Sequence, residues 1–352
     1  MKKVLFVGEN AYQSKSGIVT VMKQFLEDEE LNKCVNYKVV FTIVDETSSL
    51  QRLKAWIKAC IRFFYLLPQV DLVHIHHASD LNFWLSGLLI YIAKITGKKT
   101  IMHNHAADFH LFYANCSKVK KNLIRRILKR TDVNLVLSTA WYNWYSALVP
   151  NANWTLLRNS IDIPKDVEKK VLANGKAKLL FLARLEERKG IFDLVDIMPD
   201  FFAQYPDCEL YIAGQGDTTQ IQKVIQQYRL ETQVKILGYI NDKQRDLLLR
   251  DSHLLILPTY NEGLPMSLLE AMAYSVVPIT TPVGGIPDVV VDKVNGYLVQ
   301  PGNKKELLET ICYVVENAHL YRKVSDNAHN LVADKFDFAR YKESVINMYE
   351  LA

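Results

Sequence analysis

A chain of 352 residues, 49% apolar and 23% charged, with only 14 glycines and 11 prolines, has the composition of ordinary globular domains, and its length suits two of them. That excludes disorder, collagen-like repeats and coiled coil, and each domain is large enough to bury a core without staples. The net charge of +5 is uneven: residues 1–163 carry a balance of +9 and residues 164–352 one of −4, so the two halves are expected to meet different partners.

Along the chain, short apolar strands alternate with stretches long enough for crossover helices. The strands are expected at 3–7, 37–44, 72–76, 99–103, 133–137, 154–157, 179–182, 209–212, 235–237, 254–257 and 277–280. Several are continuously apolar and β-branched, as strands covered on both faces are. The pattern predicts an α/β protein with doubly wound parallel sheets. The order restarts near residue 179, after a polar passage over 151–178, where the interdomain linker is placed. The last sixteen residues carry an amphipathic helical pattern with Phe338, Tyr341, Val345, Met348 and Tyr349 on one side.

The N-terminus has only five apolar residues before Glu9 and Asn10, too few for a signal peptide, and it reads as a buried strand. Residues 85–95 form the longest apolar run, interrupted by Lys94 and about half the length that spans a bilayer. A cytoplasmic location is expected. Cys34, Cys60, Cys116, Cys208 and Cys312 share no metal or redox spacing and read as reduced packing residues.

Two basic segments carry the positive half. Residues 51–67 interleave Arg52, Lys54, Lys58 and Arg62 with Trp56, Phe63, Phe64 and Tyr65. Residues 118–130 hold seven cations in thirteen positions, with Val119, Leu123, Ile127 and Leu128 at helical spacing. Both readings stay open: a helix lying on an anionic membrane surface, or a solvated face whose apolar stripe turns to the core. No groove-reading motif accompanies the charge, so nucleic acid is not expected.

Ligands of doubly wound sheets bind beyond the carboxyl ends of the strands. The loops there hold four constellations. Residues 260–270 (YNEGLPMSLLE) place Glu262 in a loop and Glu270 one to two turns into a helix that starts near Pro265. Carboxylates so placed can accept bonds from sugar hydroxyls or a ribose diol. Arg184 and Lys189 lie five apart in a loop closed by Gly190, the residue types of a diphosphate clamp. His103, His105 and His110 follow another strand. A single histidine reaching a substrate is preferred there to a metal site, and His74, His76 and His77 read as strand end and packing. Gly17 enters the first helix, where backbone approaches phosphate or sugar. There is no GxGxxG, no GxxxxGKS and no Asp-x-Asp, so the two cations take the place of a divalent ion, and no metal or cofactor is expected.

In this order, FLARLEERKG, LYIAGQGD, LGYIND and the segment from LLILPTYNEGLPMSLLEAMAYSVVP to NGYLVQPGN resemble the C-terminal half of glycosyltransferase family 4. SKSGI and HNHA resemble the family more loosely, HNHA looking like the pattern of its capsular and exopolysaccharide branch, with Ala106 and Ala183 where the family usually has glycine. The resemblance implies a GT-B fold: two Rossmann-like domains facing a central crevice. It implies an acceptor-binding domain at 1–160 joined by a C-terminal helix at 337–352, and a donor-binding domain at 161–336. It implies a retaining transferase, with Arg184 and Lys189 on the donor diphosphate, Glu262 on the sugar, and backbone contacts from Gly263, Leu264 and Pro265. Glu270 would bind the ribose, Tyr239 and Ile240 would border the base, and Gly17 would line the phosphate side. His105 would sit by the sugar, with His103 as the competing choice. The implied partners are a UDP-sugar donor and a saccharide or polyprenyl-diphosphate-linked acceptor at the inner membrane face. Two competing classes remain: a sugar-nucleotide sensor without catalysis, and a dinucleotide-dependent oxidoreductase or epimerase, which would need the absent glycine fingerprint.

Overall fold

The computed structural model describes every residue except 13, 15, 16, 43–48, 174 and 352. The chain divides into two compact units, Met1–Ser160 with Ala339–Ala352, and Ile161–Phe338.

The first unit holds six strands: β1 (Lys2–Gly8), β2 (Val35–Phe41), β3 (Leu72–His77), β4 (Lys99–Asn104), β5 (Val133–Val136) and β6 (Trp154–Leu156). They pair in parallel in the order β2-β1-β3-β4-β5-β6. The chain starts at β1, winds outward to β2, then returns to β3 on the other side, so the winding reverses between β1 and β3. Alternation along the strands splits the side chains between two faces. Leu5, Val7, Val73, Ile75 and Met102 enter a core with Phe83, Ile90, Phe109 and Tyr145. The other face carries Phe6, His74, His76 and His103, covered by Phe25 of the helix Gly17–Glu27 and Tyr349 of the helix Phe338–Leu351. That last helix is held by Lys342, whose Nζ reaches Asp28 (3.1 Å) and Glu30 (2.5 Å).

The second unit has β7 (Lys178–Leu182), β8 (Glu209–Ala213), β9 (Val234–Gly238), β10 (Leu254–Leu257), β11 (Val277–Thr280) and β12 (Tyr297–Leu298). Their order is β12-β11-β10-β7-β8-β9, again all parallel, with the reversal between β7 and β10. Two sheets and one winding scheme are the doubly wound α/β architecture expected from the alternating pattern.

The strands fall where the apolar runs predict, with two differences. The second strand starts two residues earlier and ends at Phe41, and the expected 43–44 lie outside the described residues. The pair β12 has no sequence signal of its own because it is two residues long and borrows its pairing from β11. Among the described residues, no helix is long and apolar enough to cross a membrane.

The basic helices resolve differently. In Ser49–Leu66, Ala59, Phe63 and Leu66 pack into the core. A second stripe, Leu50, Leu53, Ile57, Ile61 and Phe64, stays exposed. In Lys118–Arg130, Ile124, Ile127 and Leu128 are buried. There Arg130 lies over the Tyr91 ring at 4.6 Å, and Lys121 and Arg125 over Tyr113. Its apolar stripe turns inward as a solvated helix requires, although Val119 and Leu123 remain outside it.

Candidate active site

In the second unit the loops after β7 and β10 meet at the reversal point, where open α/β sheets bind ligands. After β7 the chain turns through Arg184 and Glu186 into a 3₁₀ turn, Glu187–Lys189, ended by Gly190 in the left-handed region (φ 73°). A Cβ at Gly190 would stand 2.1 Å from the Pro258 carbonyl oxygen, so only glycine lets the turn lie against the end of β10. Three bonds stitch the two loops. The Tyr260 N–H and the Thr259 hydroxyl donate to the Arg188 carbonyl (2.9 and 3.0 Å), and Arg188 Nη1 donates to the Asn261 carbonyl (3.1 Å). Arg188 has no sequence signal beyond charge; its role appears only when β7 and β10 are neighbours.

The stitching brings Lys189 Nζ to 2.5 Å from Glu262 Oε1, with side chains 13% and 6% exposed. A pair this buried cannot be split cheaply: removing one partner of a buried ion pair typically costs about 3–5 kcal/mol. Arg184 is exposed and pairs with Glu186 (Nε to Oε1, 2.5 Å). Thus the two cations of the expected clamp differ: Lys189 is fixed to Glu262, and Arg184 reaches into solvent.

Beyond Glu262 the buried Gly263, Leu264 and Pro265 lead into the helix Met266–Ala273, whose N-terminus has no side-chain cap. Its first-turn amides leave a partial positive charge there. The loop after β11 closes over this segment: the Gly285 N–H donates to the Gly263 carbonyl (2.7 Å). Gly284 has φ 55°, and a Cβ on it would lie 1.8 Å from the Glu262 carbonyl oxygen. Glu270 lies on the same helix, near Arg245 (3.5 Å), a cation that sequence reasoning missed because it looks like a helix-surface residue. Burial lifts the Glu270 carboxyl above its usual range, and Arg245 opposes the shift. Tyr239 is exposed and Ile240 half-buried in the loop after β9.

In the first unit, Gly17 is exposed at the start of its helix, with open space where a Cβ would stand; Lys15 and Ser16 of SKSGI lie outside the described residues. His105 follows β4, its N–H donating to the His77 carbonyl (2.9 Å), and it is half-buried. His103 is fully buried. His110 stands apart from both, against Trp141. The rings of His103 and His105 do lie on one side of the chain, as alternation predicts, with centroids 4.2 Å apart. They also meet His74 and His76, because β3 pairs β4 with His76 opposite His103. Single-strand spacing could not show this meeting. His76 and His105 stack at 5.1 Å, and their Nδ1 and Nε2 are 2.9 Å apart. His74 Nδ1 is 2.6 Å from the Tyr349 hydroxyl. Burial, aided by the neighbouring imidazoles, holds the rings neutral, His74 down to about 3 and His76, His103 and His105 well below their usual value. Nε2 of His74 and His76 and both nitrogens of His103 have no partner. Each such buried group costs roughly 1–3 kcal/mol.

Residues 162–331, which contain the Lys189 and Glu262 loops, match the family model described as glycosyl transferases group 1. A Homo sapiens component of phosphatidylinositol N-acetylglucosaminyltransferase is 24% identical over 299 residues, 82% of this chain, and this chain spans 59% of that relative's length. Among solved structures, the sucrose-phosphate synthase of Thermosynechococcus elongatus superposes with a TM-score of 0.80 at 17% identity, covering 100% of this chain and 99% of that one. Anabaena HepE in complex with UDP-glucose superposes with a TM-score of 0.77 at 17% identity and full coverage of both chains. The fold is therefore GT-B, and residues 162–331 are similar to the glycosyl transferases group 1 family.

Proposed function

We propose that the protein is a retaining glycosyltransferase that moves a hexosyl or N-acetylhexosaminyl unit from a UDP-linked donor to a saccharide or lipid-linked saccharide acceptor, in surface polysaccharide synthesis. The observation that carries the reading is the buried Lys189–Glu262 pair at the reversal point of the second sheet, beside an uncapped helix N-terminus. Departure of a nucleoside diphosphate builds negative charge on the leaving oxygen. Lys189, Arg184 and the amides of the Met266–Ala273 helix stand ready to bind that charge more strongly than they bind the ground state, which lowers the barrier. The leaving phosphate takes the proton of the acceptor hydroxyl as that hydroxyl bonds to the anomeric carbon from the face being vacated, so configuration is kept.

Glu262 orients the sugar hydroxyls, with backbone contacts from Gly263, Leu264 and Pro265. Glu270 takes the ribose diol, and Tyr239 and Ile240 border the base. In the first unit, His105 and Gly17 serve substrate groups at the carboxyl ends of β4 and β1. The UDP-glucose held by HepE and the N-acetylglucosaminyl activity named for the human relative support a UDP-hexose donor. The cations serve the diphosphate without a divalent ion, so added Mg²⁺ or Mn²⁺ leaves turnover unchanged.

The exposed stripe Leu50, Leu53, Ile57, Ile61 and Phe64, flanked by Arg52, Lys54, Lys58 and Arg62, fits the headgroup layer of an anionic membrane, where a lipid-linked acceptor resides. The proposal stays with this helix, since Lys118–Arg130 buries Ile124, Ile127 and Leu128 and lays three of its seven cations over Tyr91 and Tyr113. The test of the whole reading is a thermal-shift screen of nucleotide sugars followed by assay of free nucleotide. A UDP-sugar raises the melting temperature by mass action, and UDP is released on adding acceptor. Stabilisation without release, at any acceptor, would leave a sensor instead.

A further inference from the structure

We propose that His74, His76 and His103 form a binding site for one divalent transition-metal ion, with Zn²⁺ as its best fit, under the face of the first unit's sheet. The three rings come from adjacent positions of two paired strands, and one ring nitrogen of each lies within 4.8 Å of those of the other two. The partners of these rings have a consistent direction. His74 Nδ1 is taken by the Tyr349 hydroxyl and His76 Nδ1 by His105 Nε2, which leaves Nε2 unpartnered on both. His103 has both nitrogens unpartnered and is fully buried. An outer nitrogen fixed by a hydrogen bond and an inner nitrogen left with its lone pair is the way proteins orient imidazoles that ligate metal.

The donor set selects the ion. Three neutral imidazoles suit Zn²⁺ and its late first-row neighbours, whereas Mg²⁺ and Ca²⁺ require oxygen ligands. Metal–nitrogen bonds of about 2.1 Å place tetrahedral ligands about 3.4 Å apart, so on binding the rings, which stack at 25° (His74 on His76) and 16° (His74 on His103), close by an ångström or so and turn their edges toward one point, and water or hydroxide takes the fourth position. Phe6 and Phe25 pack against His74 and His76 and keep the pocket dry. This departs from the sequence expectation that the chain binds no metal, and it is separate from the diphosphate chemistry of the second unit.

One consequence rests on the role proposed for His105. With Nε2 of His76 on the metal, its proton resides on Nδ1 and is donated to His105 Nε2. His105 is then fixed with its proton on Nδ1, as a donor of known direction.

The experiment uses the full chain, stripped with chelator, loaded with Zn²⁺ or Co²⁺, and freed of excess metal by gel filtration. Elemental analysis should find about one ion per chain, falling at least about tenfold in His103→Asn, while His319→Asn at an exposed position keeps it. The Co²⁺ form should show the intense visible bands of a four-coordinate nitrogen site. Less than about a tenth of an ion in the unaltered chain, or full loading of folded His103→Asn, overturns the proposal. If His103→Asn does not fold, the Co²⁺ spectrum of the unaltered chain decides, and weak six-coordinate bands or none overturn it. A bridging water in place of the ion would give the same negative result. UDP release by the stripped protein is read separately, so loss of the metal proposal leaves the transferase reading standing, and the reverse.

Discussion

In the second unit the candidate-site side chains gather in the loops after β7 and β10 and on the helix Met266–Ala273, pairing cation with carboxylate at the rim of the sheet. In the first unit they lie within the sheet, as imidazoles of β3 and β4 stacked beneath two helices and stripped of charge by burial. One winding scheme thus supports two kinds of side-chain setting: paired charge at the rim of one sheet, and neutral imidazoles buried within the other. The contrast teaches that a shared fold constrains where a site lies, while the loops and the inward-facing residues decide what it does.

The largest effect expected from breaking this contrast is at Lys189. Lys189→Ala should lower kcat about a hundredfold, ~3 kcal/mol, measured as UDP release under saturating donor. A rate close to that of the unaltered protein would remove the clamp. Gly284→Ala comes next, because its Cβ meets the Glu262 carbonyl at 1.8 Å in a left-handed conformation. The second unit should lose about 2 kcal/mol, several degrees in calorimetry. Gly17→Ala in the first unit should leave the melting temperature in place, since nothing lies within 4 Å of its Cβ. It should raise KM if substrate backs onto that glycine, and an unchanged KM would remove Gly17 from the site.

A smaller effect is expected at Glu270. Glu270→Gln should raise the donor KM about tenfold, the worth of a hydrogen bond to a charged acceptor. Burial raises this carboxyl. It therefore takes up its proton at less acidic pH than an ordinary carboxylate, and donor KM should climb as pH falls through that region. The variant should lose this limb of the profile. The smallest effect on the fold is expected from Ile57→Glu with Ile61→Glu: stability within about 0.5 kcal/mol, yet loss of co-sedimentation with anionic vesicles. Unchanged sedimentation would return this helix to the status of a solvated face.

Strands buried on both sides announce themselves by apolar runs, so eleven of the twelve were legible, and so was the doubly wound scheme. The Glu262 and Lys189 loops were legible as candidates because each follows a strand directly. Their pairing was not, since it depends on β7 lying beside β10 although 71 residues separate the starts of the stitched segments Arg188 and Thr259. Arg188 and Arg245 look like any surface cation until that adjacency is known. The histidine stack was hidden for the same reason: HIHH and HNH are ordinary strand ends until register places His76 opposite His103.

The helix Phe338–Leu351 caps the histidine face of a unit whose other residues end at Ser160, with Tyr349 bonding to His74 across 275 positions. A ribosome must therefore have delivered Tyr349 before the first unit can finish folding. Until then that sheet face is covered only in part, by Phe25 of the helix Gly17–Glu27, so chains that stall short of Tyr349 should be the forms that chaperones and proteases recognise.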